Sequence, residues 1–235
     1  MSHFDTDQIS PDALAAMIDH TLLKAEATPQ QVEKLCREAR DYNFASVCIN
    51  PVYVKTAVQQ LKNSSVKVCT VVGFPLGASL SVLKALEAAH AIEEGAAEID
   101  MVIHVGALKN ADWEAAEQDV HQVVQVCHRL KGLCKVIIET ALLSEEEKIR
   151  ACRIVRDQGA EYVKTSTGFS SGGATAEDVA LLHNTLSGSN VKVKASGGIR
   201  TFQDAVKMIR AGAERLGVSA GVQIIQQAEA ESGRN

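Results

Sequence analysis

Two lysines lie inside short apolar segments that are typical of buried β-strands, where an ammonium group is unusual. The chain reads EYVKTSTGFSSGG around Lys164 and VKVKASGG around Lys194. Because side chains alternate along a strand, each lysine shares a face with the serine two residues later, Ser166 or Ser196. If the two segments are neighbouring strands, about 4.8 Å apart, lysines at matched depth crowd their ammonium groups.

Crowded lysines suit covalent chemistry through a Schiff base. An ordinary lysine has a pKa near ~10.4, so at pH 7 only about one molecule in 2,500 carries the nucleophilic neutral amine. A neighbouring cation and partial burial both penalise the charged form of a lysine and lower its pKa. A pKa of ~7 makes about half of the molecules reactive and corresponds to a shift of ~4.6 kcal/mol. The alternative is that both lysines point outward and extend between helices.

A third charged residue in an apolar run is Asp100, in EIDMVIHV. It is either a structural partner that neutralises a lysine or a general acid or base. Asp100 lies further before the next glycine, Gly106, than either lysine lies before the glycine that follows it. We therefore expect Asp100 to lie deeper, further from the end of its strand, than the lysines. His104 follows Asp100 at an even spacing, so on a continuous strand the two side chains would share a face. A lone strand histidine is, however, more often a hydrogen-bonded structural group. Asp19 and Thr21, on the first run, are candidates for the same polar network.

Three glycine-rich loops follow the last three apolar runs and lead into helical segments: GFSSGGAT, SGGIR and GVSAG. Glycine lets backbone N–H groups approach an anion, and helix N-termini attract negative charge. These loops therefore predict a phosphorylated ligand. The candidate phosphate-binding residues are Gly168, Gly172, Gly197, Gly198, Gly217 and Ser219.

The whole chain alternates apolar, β-branched runs with segments of helical period. The runs begin roughly 20 to 37 residues apart, the size of one strand-plus-helix unit: MIDHTLL, SVCIN, KVCTVVGF, EIDMVIHV, KVIIET, YVKTST, VKVKAS and RLGVSA. This pattern predicts one α/β domain over residues 1–235, a (β/α)₈ barrel with a short N-terminal helical segment. Its active site is expected at the carboxyl ends of the strands. An open doubly wound sheet is the second possibility, but the sequence lacks its GxGxxG fingerprint.

Helix signals support these boundaries. Thr28 followed by proline predicts a helix start, with an apolar stripe that includes Val32, Leu35, Cys36 and Ala39. Capping boxes with aspartate in place of glutamate are predicted for two later helices. The pairs are Thr175 with Asp178 and Thr201 with Asp204.

Composition narrows the functional class. The 235 residues are 46% hydrophobic, which suits one domain with a large core. A net charge of −5 without a basic run argues against nucleic acid as a partner. No apolar stretch reaches the ~18 residues that span a bilayer, and MSHFDTDQIS lacks the regions of a signal peptide. The six cysteines show no metal-ligand spacing, so we expect reduced thiols, no metal, no membrane partner and a cytoplasmic location.

Five segments together resemble the 2-deoxyribose-5-phosphate aldolase family: IDHTLLK, VCINP, EIDMV, VKTSTGF and VKASGGIR. The resemblance covers residues 9–228, and the two lysine segments are its most specific part. It implies a class I aldolase without metal or cofactor on a (β/α)₈ barrel. Such an enzyme reversibly cleaves 2-deoxy-D-ribose 5-phosphate into acetaldehyde and D-glyceraldehyde 3-phosphate.

The resemblance also implies residue roles. Lys164 would form the Schiff base, and Asp100 would donate and accept protons. Lys194 would share this proton transfer and perturb the pKa of the nucleophile. Cys48 would line the site, and the glycine loops would hold the 5-phosphate. We expect a homo-oligomer, with a dimer favoured.

Three features depart from the family pattern. His104 stands where many members have asparagine, and Val218 stands where a hydroxyl residue is common. The sequence ends AEAESGRN, without the C-terminal tyrosine that some members place near the site. These departures bear on a tyrosine-dependent proton relay, not on the lysine chemistry.

Other functions use parts of the same pattern. A transaldolase would apply Schiff-base chemistry to a larger sugar phosphate. A metal-free sugar-phosphate isomerase would need the phosphate loops without a nucleophilic lysine, and a sensor barrel would bind the sugar phosphate without reacting. The pairing of Lys164 and Lys194 with Asp100 argues against a sensor, because binding alone has no use for paired lysines.

Overall fold

The computed structural model describes residues 9–233. Its strands are β1 (Ile18–Leu22), β2 (Ser46–Ile49), β3 (Lys67–Val72), β4 (Glu98–Val102), β5 (Leu133–Ile137), β6 (Tyr162–Lys164), β7 (Lys192–Ser196) and β8 (Arg215–Val218). Its helices are α1 (Pro11–Ala15), α2 (Pro29–Asp41), α3 (Val54–Gln60), α4 (Ser81–Glu93), α5 (Val105–Lys109), α6 (Trp113–Arg129), α7 (Glu145–Asp157), α8 (Ala176–Thr185), α9 (Phe202–Arg210) and α10 (Gly221–Ser232). The strands are parallel and close in sequence order, with β8 pairing back to β1. This arrangement confirms the predicted (β/α)₈ barrel and excludes the open sheet.

The barrel is preceded by α1, a short helical segment of five residues. The predicted domain, residues 1–235, includes residues 1–8 and 234–235, which lie outside the described residues. A single domain over the full length therefore stays a prediction. Within residues 9–233, none of the helices combines the length and apolar character that a membrane crossing requires.

The helix starts follow the sequence signals with one exception. Thr28 caps α2, whose buried residues are the predicted stripe of Val32, Leu35, Cys36 and Ala39. Thr201 and Asp204 form the predicted capping box of α9. At α8 Thr175 accepts the backbone N–H of Asp178, but the carboxylate of Asp178 binds Lys148 Nζ at 2.6 Å. The predicted box at α8 is therefore only half formed, because an ion pair to α7 uses the aspartate.

Alternation along the strands separates an apolar layer from a polar one. On β4, Ile99 and Met101 are fully buried in the core between the strands and the helices. Asp100, between them, faces the barrel interior and meets side chains from other strands. Burial of the apolar layer stabilises the fold by roughly 25 cal/mol per Å² of apolar surface removed from water. The outer layer thus supports an interior that holds charges.

The end of β4 decides the position of His104. Lys84 of α4 is fully buried and donates to the Val102 carbonyl at 2.9 Å and to Asp119 of α6 at 2.7 Å. Asp119 also accepts the backbone N–H of His104 at 2.8 Å, which holds the chain as it leaves the strand. The strand period therefore stops before His104, which is exposed and precedes α5. The prediction that His104 shares a strand face with Asp100 was wrong.

Candidate active site

The barrel interior gathers charged side chains from six strands, which we call the charged cluster. Its members are Asp19 (β1), Glu98 and Asp100 (β4), Lys135 (β5), Lys164 (β6), Lys194 (β7) and Arg215 (β8). All are buried except Arg215, whose side chain is 13% exposed. Four cations face three carboxylates, so the fully ionised cluster carries one net positive charge. Buried charges persist only when they are paired.

Asp100 joins the three lysines. Its Oδ2 accepts from Lys164 Nζ at 2.8 Å and from Lys194 Nζ at 2.7 Å. Its Oδ1 accepts from Lys135 Nζ at 2.8 Å and from the Cys69 thiol at 3.2 Å. The structure thus brings the predicted trio of Lys164, Lys194 and Asp100 together around one carboxylate oxygen. Outward-pointing lysines are excluded, because Lys164 is 3% exposed and Lys194 is 0% exposed.

The strand register explains how Asp100 meets lysines that lie nearer the carboxyl ends. Asp100 pairs with Lys135, whereas Lys164 pairs with Ile137, two residues further along β5. Lys164 and Lys194 pair directly with each other. The expectation that Asp100 lies deeper is confirmed by this register. The lysine stems are long enough to reach down to it.

Opposite charges overcome the cost of burial in the cluster. Burial alone would raise the pKa of Asp100, but the three lysines beside it hold this pKa well below its usual range. The pKa of Asp19 is also lowered, because Lys194 and its other cationic neighbours outweigh burial. Burial would lower the pKa of Lys194, yet Asp100 and Asp19 raise it. The pKa of Lys135 is raised against burial too, chiefly by Asp100. The resting site therefore holds carboxylates and ammonium groups.

Lys164 differs from the other two lysines in its surroundings. Lys194 lies against Asp19 at 2.5 Å as well as Asp100, and Lys135 lies 2.6 Å from Glu98 as well as 2.8 Å from Asp100. Among the described residues Lys164 contacts one carboxylate, that of Asp100. It is also the lysine of the three with some exposure, at 3%. Lys164 is therefore the lysine held by the fewest counter-charges and the one open to a ligand.

Gly217 makes room for Lys194. A Cβ at Gly217 would lie 3.0 Å from the Ser196 Cβ and 3.1 Å from the Lys194 Cε. On the neighbouring strand β1, Asp19 Oδ1 accepts from Ser46 Oγ of β2 at 2.6 Å and from Arg215 Nη1 of β8 at 2.7 Å. Asp19 thereby anchors the side of the cluster that holds Lys194. Asp19 thus lies in the charged cluster, and Gly217 gives space to a lysine of that cluster. That either residue binds the substrate or its phosphate stays a prediction.

The loops after β6 and β7 are packed backbone to backbone. A Cβ at Gly173 would lie 2.4 Å from the Gly197 carbonyl oxygen, and Ala174 N–H donates to that oxygen at 3.0 Å. Gly168 and Gly198 have φ of +85° and +82°, and a Cβ on either would meet no atom within 4 Å. Both therefore border open space at the carboxyl end of the barrel.

The loop after β8 leads into a helix without a side-chain cap. No side chain of the described residues caps the N-terminus of α10, in contrast to α8 and α9. Ser219 is exposed just before this helix. Uncapped N–H groups and the helix dipole suit an anion there. Gly172 lies in the loop after β6, where a Cβ would approach the Ala141 Cβ to 2.9 Å.

Ser166, two residues after Lys164, has a buried hydroxyl without a partner among the described residues. It follows Lys164 on the same side of the chain, and the Ser196 hydroxyl donates to the Ser166 carbonyl at 2.5 Å. A buried hydroxyl without a partner costs free energy unless a ligand or water satisfies it. Ser166 is thus a candidate contact for a bound molecule.

Two further predicted residues lie near the cluster. Thr21 is half-buried, and its hydroxyl donates to the Asp19 carbonyl at 2.8 Å, which places it beside the network. Cys48 on β2 is fully buried, pairs in register with Cys69 on β3 and senses the charge of Asp100. The sulfur atoms of Cys48 and Cys69 and an oxygen of Asp100 lie within 4.8 Å of one another. Lys135 and Lys194, whose pKa values are raised, stand beside Asp100 as ammonium groups and repel a cation, so this group does not identify a metal centre.

Three members of the charged cluster are not predicted from the sequence: Glu98, Lys135 and Arg215. Each stands at the first position of its apolar run, where a charged residue is typical of an exposed strand end. Lys135 is nevertheless 0% exposed, because β5 begins two residues earlier, at Leu133. The available signal was the same one that marked Lys164, a charged residue beside β-branched ones.

Comparisons with known proteins agree with this geometry. A family model described as DeoC/LacD family aldolase matches residues 13–227. A protein from Geobacillus sp. named deoxyribose-phosphate aldolase is 58% identical over 219 residues, covering 93% of this chain and 97% of that protein. A protein of the same name from Clostridium kluyveri is 58% identical over 214 residues, covering 91% and 97%.

A solved structure with the same architecture comes from Aeropyrum pernix. It is described as a unique tetrameric structure of deoxyribose phosphate aldolase. It superposes with a TM-score of 0.90 at 34% identity, covering 98% of this chain and 100% of that one.

Proposed function

The chain belongs to the DeoC/LacD family of aldolases, and from this premise we propose that it cleaves 2-deoxy-D-ribose 5-phosphate reversibly into acetaldehyde and D-glyceraldehyde 3-phosphate. The reaction proceeds through a Schiff base on Lys164. The observation that carries the proposal is the Asp100 oxygen shared by Lys164 and Lys194, with Lys164 held by fewer counter-charges.

The first half of the reaction forms and uses the imine. Neutral Lys164 attacks the C1 aldehyde of the open-chain sugar, and loss of water gives an iminium. The iminium withdraws electrons from the C2–C3 bond, so no metal is needed as an electron acceptor. Removal of the C3 hydroxyl proton breaks this bond, releases D-glyceraldehyde 3-phosphate and leaves an enamine on Lys164.

The second half returns a proton to carbon. Protonation of the enamine and hydrolysis of the new iminium release acetaldehyde. Lys194 and Asp100 are joined by a 2.7 Å hydrogen bond, which supports a relay of protons between water, Lys194 and the bound intermediate. Since the lowered pKa of Asp100 reflects its three lysine neighbours against burial, Asp100 carries a proton only transiently and mainly orients the two ammonium groups.

Borohydride trapping tests the proposed chemistry directly. The protein is incubated with acetaldehyde, reduced with borohydride, and its peptides are mapped by mass spectrometry. We expect one added ethyl group, on Lys164, because only an imine is reducible under these conditions. An adduct on Lys194 in place of Lys164 would reverse the roles of the two lysines, and no adduct would refute the Schiff base.

The phosphate site is proposed at the loops after β6, β7 and β8. Its support is the open space beside Gly168 and Gly198 and the uncapped N-terminus of α10 beside Ser219. Gly197 lets the loops after β6 and β7 pack closely, and Gly172 lies in the loop after β6.

Removal of the phosphate from the substrate should therefore be costly. With unphosphorylated 2-deoxyribose, kcat/KM is expected to fall by about 10²-fold or more, since remote binding energy positions the reacting carbon. The measurement compares steady-state kinetics for the two sugars. Imine trapping with acetaldehyde serves as the control, because acetaldehyde has no phosphate. Added inorganic phosphate should slow this trapping only weakly. Equal kcat/KM for both sugars would exclude the phosphate site.

We also propose that the chain forms a homodimer through an apolar surface of residues 76–86, which include the first turns of α4. Among the described residues, five of the eight exposed large hydrophobic side chains lie within residues 76–86: Leu76, Leu80, Val82, Leu83 and Leu86. A cluster of exposed apolar side chains is uncommon on a monomer and marks an interaction surface. A second copy is the occupant that an apolar face of this kind can match symmetrically.

Light scattering during size-exclusion chromatography measures this state. The unaltered chain should elute as a dimer, and Leu86→Glu should shift it towards the monomer, because the new charge would be buried without a partner. Leu142→Glu, at an exposed leucine outside residues 76–86, is the matched control and should leave the mass unchanged. A monomeric unaltered chain would contradict the proposal.

We also propose a cytoplasmic location for this enzyme. Its support is that all six cysteines are free and buried. Reduced thiols are typical of the cytosol, where disulfides are rare and mostly transient.

A further inference from the structure

Two cysteines face each other beside the charged cluster. In the pairing of β2 with β3, Cys48 lies directly opposite Cys69, and both are 0% exposed. Residues paired across neighbouring strands lie about 4.8 Å apart, within the range of Cα separations that a disulfide bridges. The two sulfur atoms lie within 4.8 Å of each other and of Asp100. A disulfide between them therefore needs only small local movements.

The surroundings of the two thiols are unequal. The neighbouring Cys69 lowers the pKa of Cys48, and the charges of Lys194 and Lys164 help it to outweigh burial and the charge of Asp100. Burial raises the pKa of Cys69, and the neighbouring Cys48 and Asp100 add to this. A thiol of lowered pKa beside a second thiol is the arrangement of redox-sensitive cysteines. Cys48 is the thiol that reacts first, and Cys69 is the one that resolves it.

We propose that Cys48 and Cys69 form a reversible disulfide when hydrogen peroxide enters the barrel, and that this disulfide suppresses the aldolase reaction. The Cys48 thiolate attacks one peroxide oxygen and breaks the O–O bond, which gives a sulfenic acid and, after proton uptake, one water. Cys69 then attacks that sulfur, forms the S–S bond and displaces the oxygen as a second water. The two sulfurs lose two electrons, which the peroxide gains.

The consequence for the site follows from the contacts of Cys69. Its thiol donates to Asp100 Oδ1 at 3.2 Å, and its sulfur accepts from Lys135 Nζ at 3.3 Å. A disulfide has no S–H, so Asp100 loses this donor and the carboxylate that joins the lysines can turn. When a charged group in an active site loses a hydrogen bond that holds it in place, the reaction typically slows by about 10-fold or more. This effect on rate rests on the proposed function, whereas disulfide formation does not.

Access for the oxidant is proposed through the opening beside Lys164. Lys164 is 3% exposed, and it lies close enough to Cys48 for its charge to act on the pKa of that thiol. Peroxide is small enough to enter by such an opening, and disulfide formation itself tests this access. A second cysteine pair, Cys127 of α6 and Cys134 of β5, is also hydrogen-bonded, but it lies in the layer between strand and helix. It provides an internal control for oxidation that does not depend on the site.

The test oxidises the full chain with hydrogen peroxide, blocks the remaining free thiols and digests with trypsin. We expect a disulfide-linked pair of peptides, residues 41–55 and 68–84, two hydrogens lighter than the separate peptides. Cleavage of the deoxysugar phosphate should fall at least about 10-fold and recover with dithiothreitol. Each variant is compared with its own untreated rate.

Three variants define the outcome. Cys69→Ser should give no linked pair. Because it lacks a resolving thiol, a second peroxide should oxidise the Cys48 sulfenic acid to the sulfinic acid, and dithiothreitol does not restore the rate lost in this way. Cys48→Ser should give neither the linked pair nor the peroxide-dependent loss. Cys134→Ser should behave as the unaltered chain. A linked pair of Cys127 with Cys134 in place of the expected one, or a reversible loss that persists in Cys48→Ser, would overturn the proposal. If the linked pair forms but the chain cleaves no deoxysugar phosphate before oxidation, the proposed function fails and the disulfide stands.

Discussion

Lys164→Ala is expected to leave no borohydride-trapped adduct with acetaldehyde and to lower kcat for cleavage by about 10⁴-fold or more at every pH. The reason is that the variant has no amine at the position from which the imine forms. Lys194 and Lys135 cannot substitute, because each stays protonated by its carboxylate neighbours: the pKa of both is raised against burial by Asp100. The measurements are the adduct mass and the steady-state rate across the pH range.

Two controls separate lost chemistry from lost structure. Lys109→Ala removes a lysine whose side chain is 49% exposed and pairs with Glu147, so it should trap and cleave as the unaltered chain does. Lys164→Met keeps most of the buried stem, fills the same space and should be as inactive as Lys164→Ala. Retained near-ultraviolet circular dichroism in both variants would show that the barrel is intact. An ethyl adduct on another lysine in Lys164→Ala, with near-normal cleavage, would refute the assignment.

The fold could be predicted from the sequence because its signal repeats. Each apolar run with its helical segment carries the same information, so an uncertain boundary in one unit does not change the architecture. The strand ends were less predictable. The run EIDMVIHV continues past Val102, yet the buried Lys84–Asp119 pair ends the strand there. This pair joins α4 to α6 through side chains 15 to 18 residues away from the strand end that they bind, so the two-residue period of the strand could not reveal it.

The candidate site was predictable where a charge interrupts an apolar run. Lys164, Lys194 and Asp100 each lie between residues with strand propensity, and all three meet in the structure. Lys135 begins the run KVIIET, as Lys67 begins KVCTVV, and the two positions look alike in sequence. Lys67 is exposed, whereas Lys135 is fully buried between carboxylates. Only the register of β5 against β4 distinguishes them, and register is a tertiary property.

Lys194→Met is expected to shift imine formation to higher pH while leaving the nucleophile in place. Lys194 lies 2.7 Å from the Asp100 oxygen that Lys164 also contacts. Its loss removes a cation that repels the Lys164 ammonium group and leaves Asp100 free to attract that group more strongly. Both effects favour the protonated form of Lys164, so the neutral amine becomes available only at higher pH. Trapping near pH 7 should fall by up to ~100-fold and recover in part as the pH rises.

The measurement is the rate of borohydride-trapped adduct formation against pH, reported as the pH of half-maximal rate. Lys194→Arg is the matched control, because it keeps the positive charge and should keep this midpoint near that of the unaltered chain even if its maximum is lower. Lys164→Ala should show no adduct at any pH, which separates a displaced profile from a missing nucleophile. Cleavage in Lys194→Met should recover less than trapping, since Lys194 also relays protons to the intermediate. An unshifted trapping midpoint in Lys194→Met would mean that the second lysine does not tune the first.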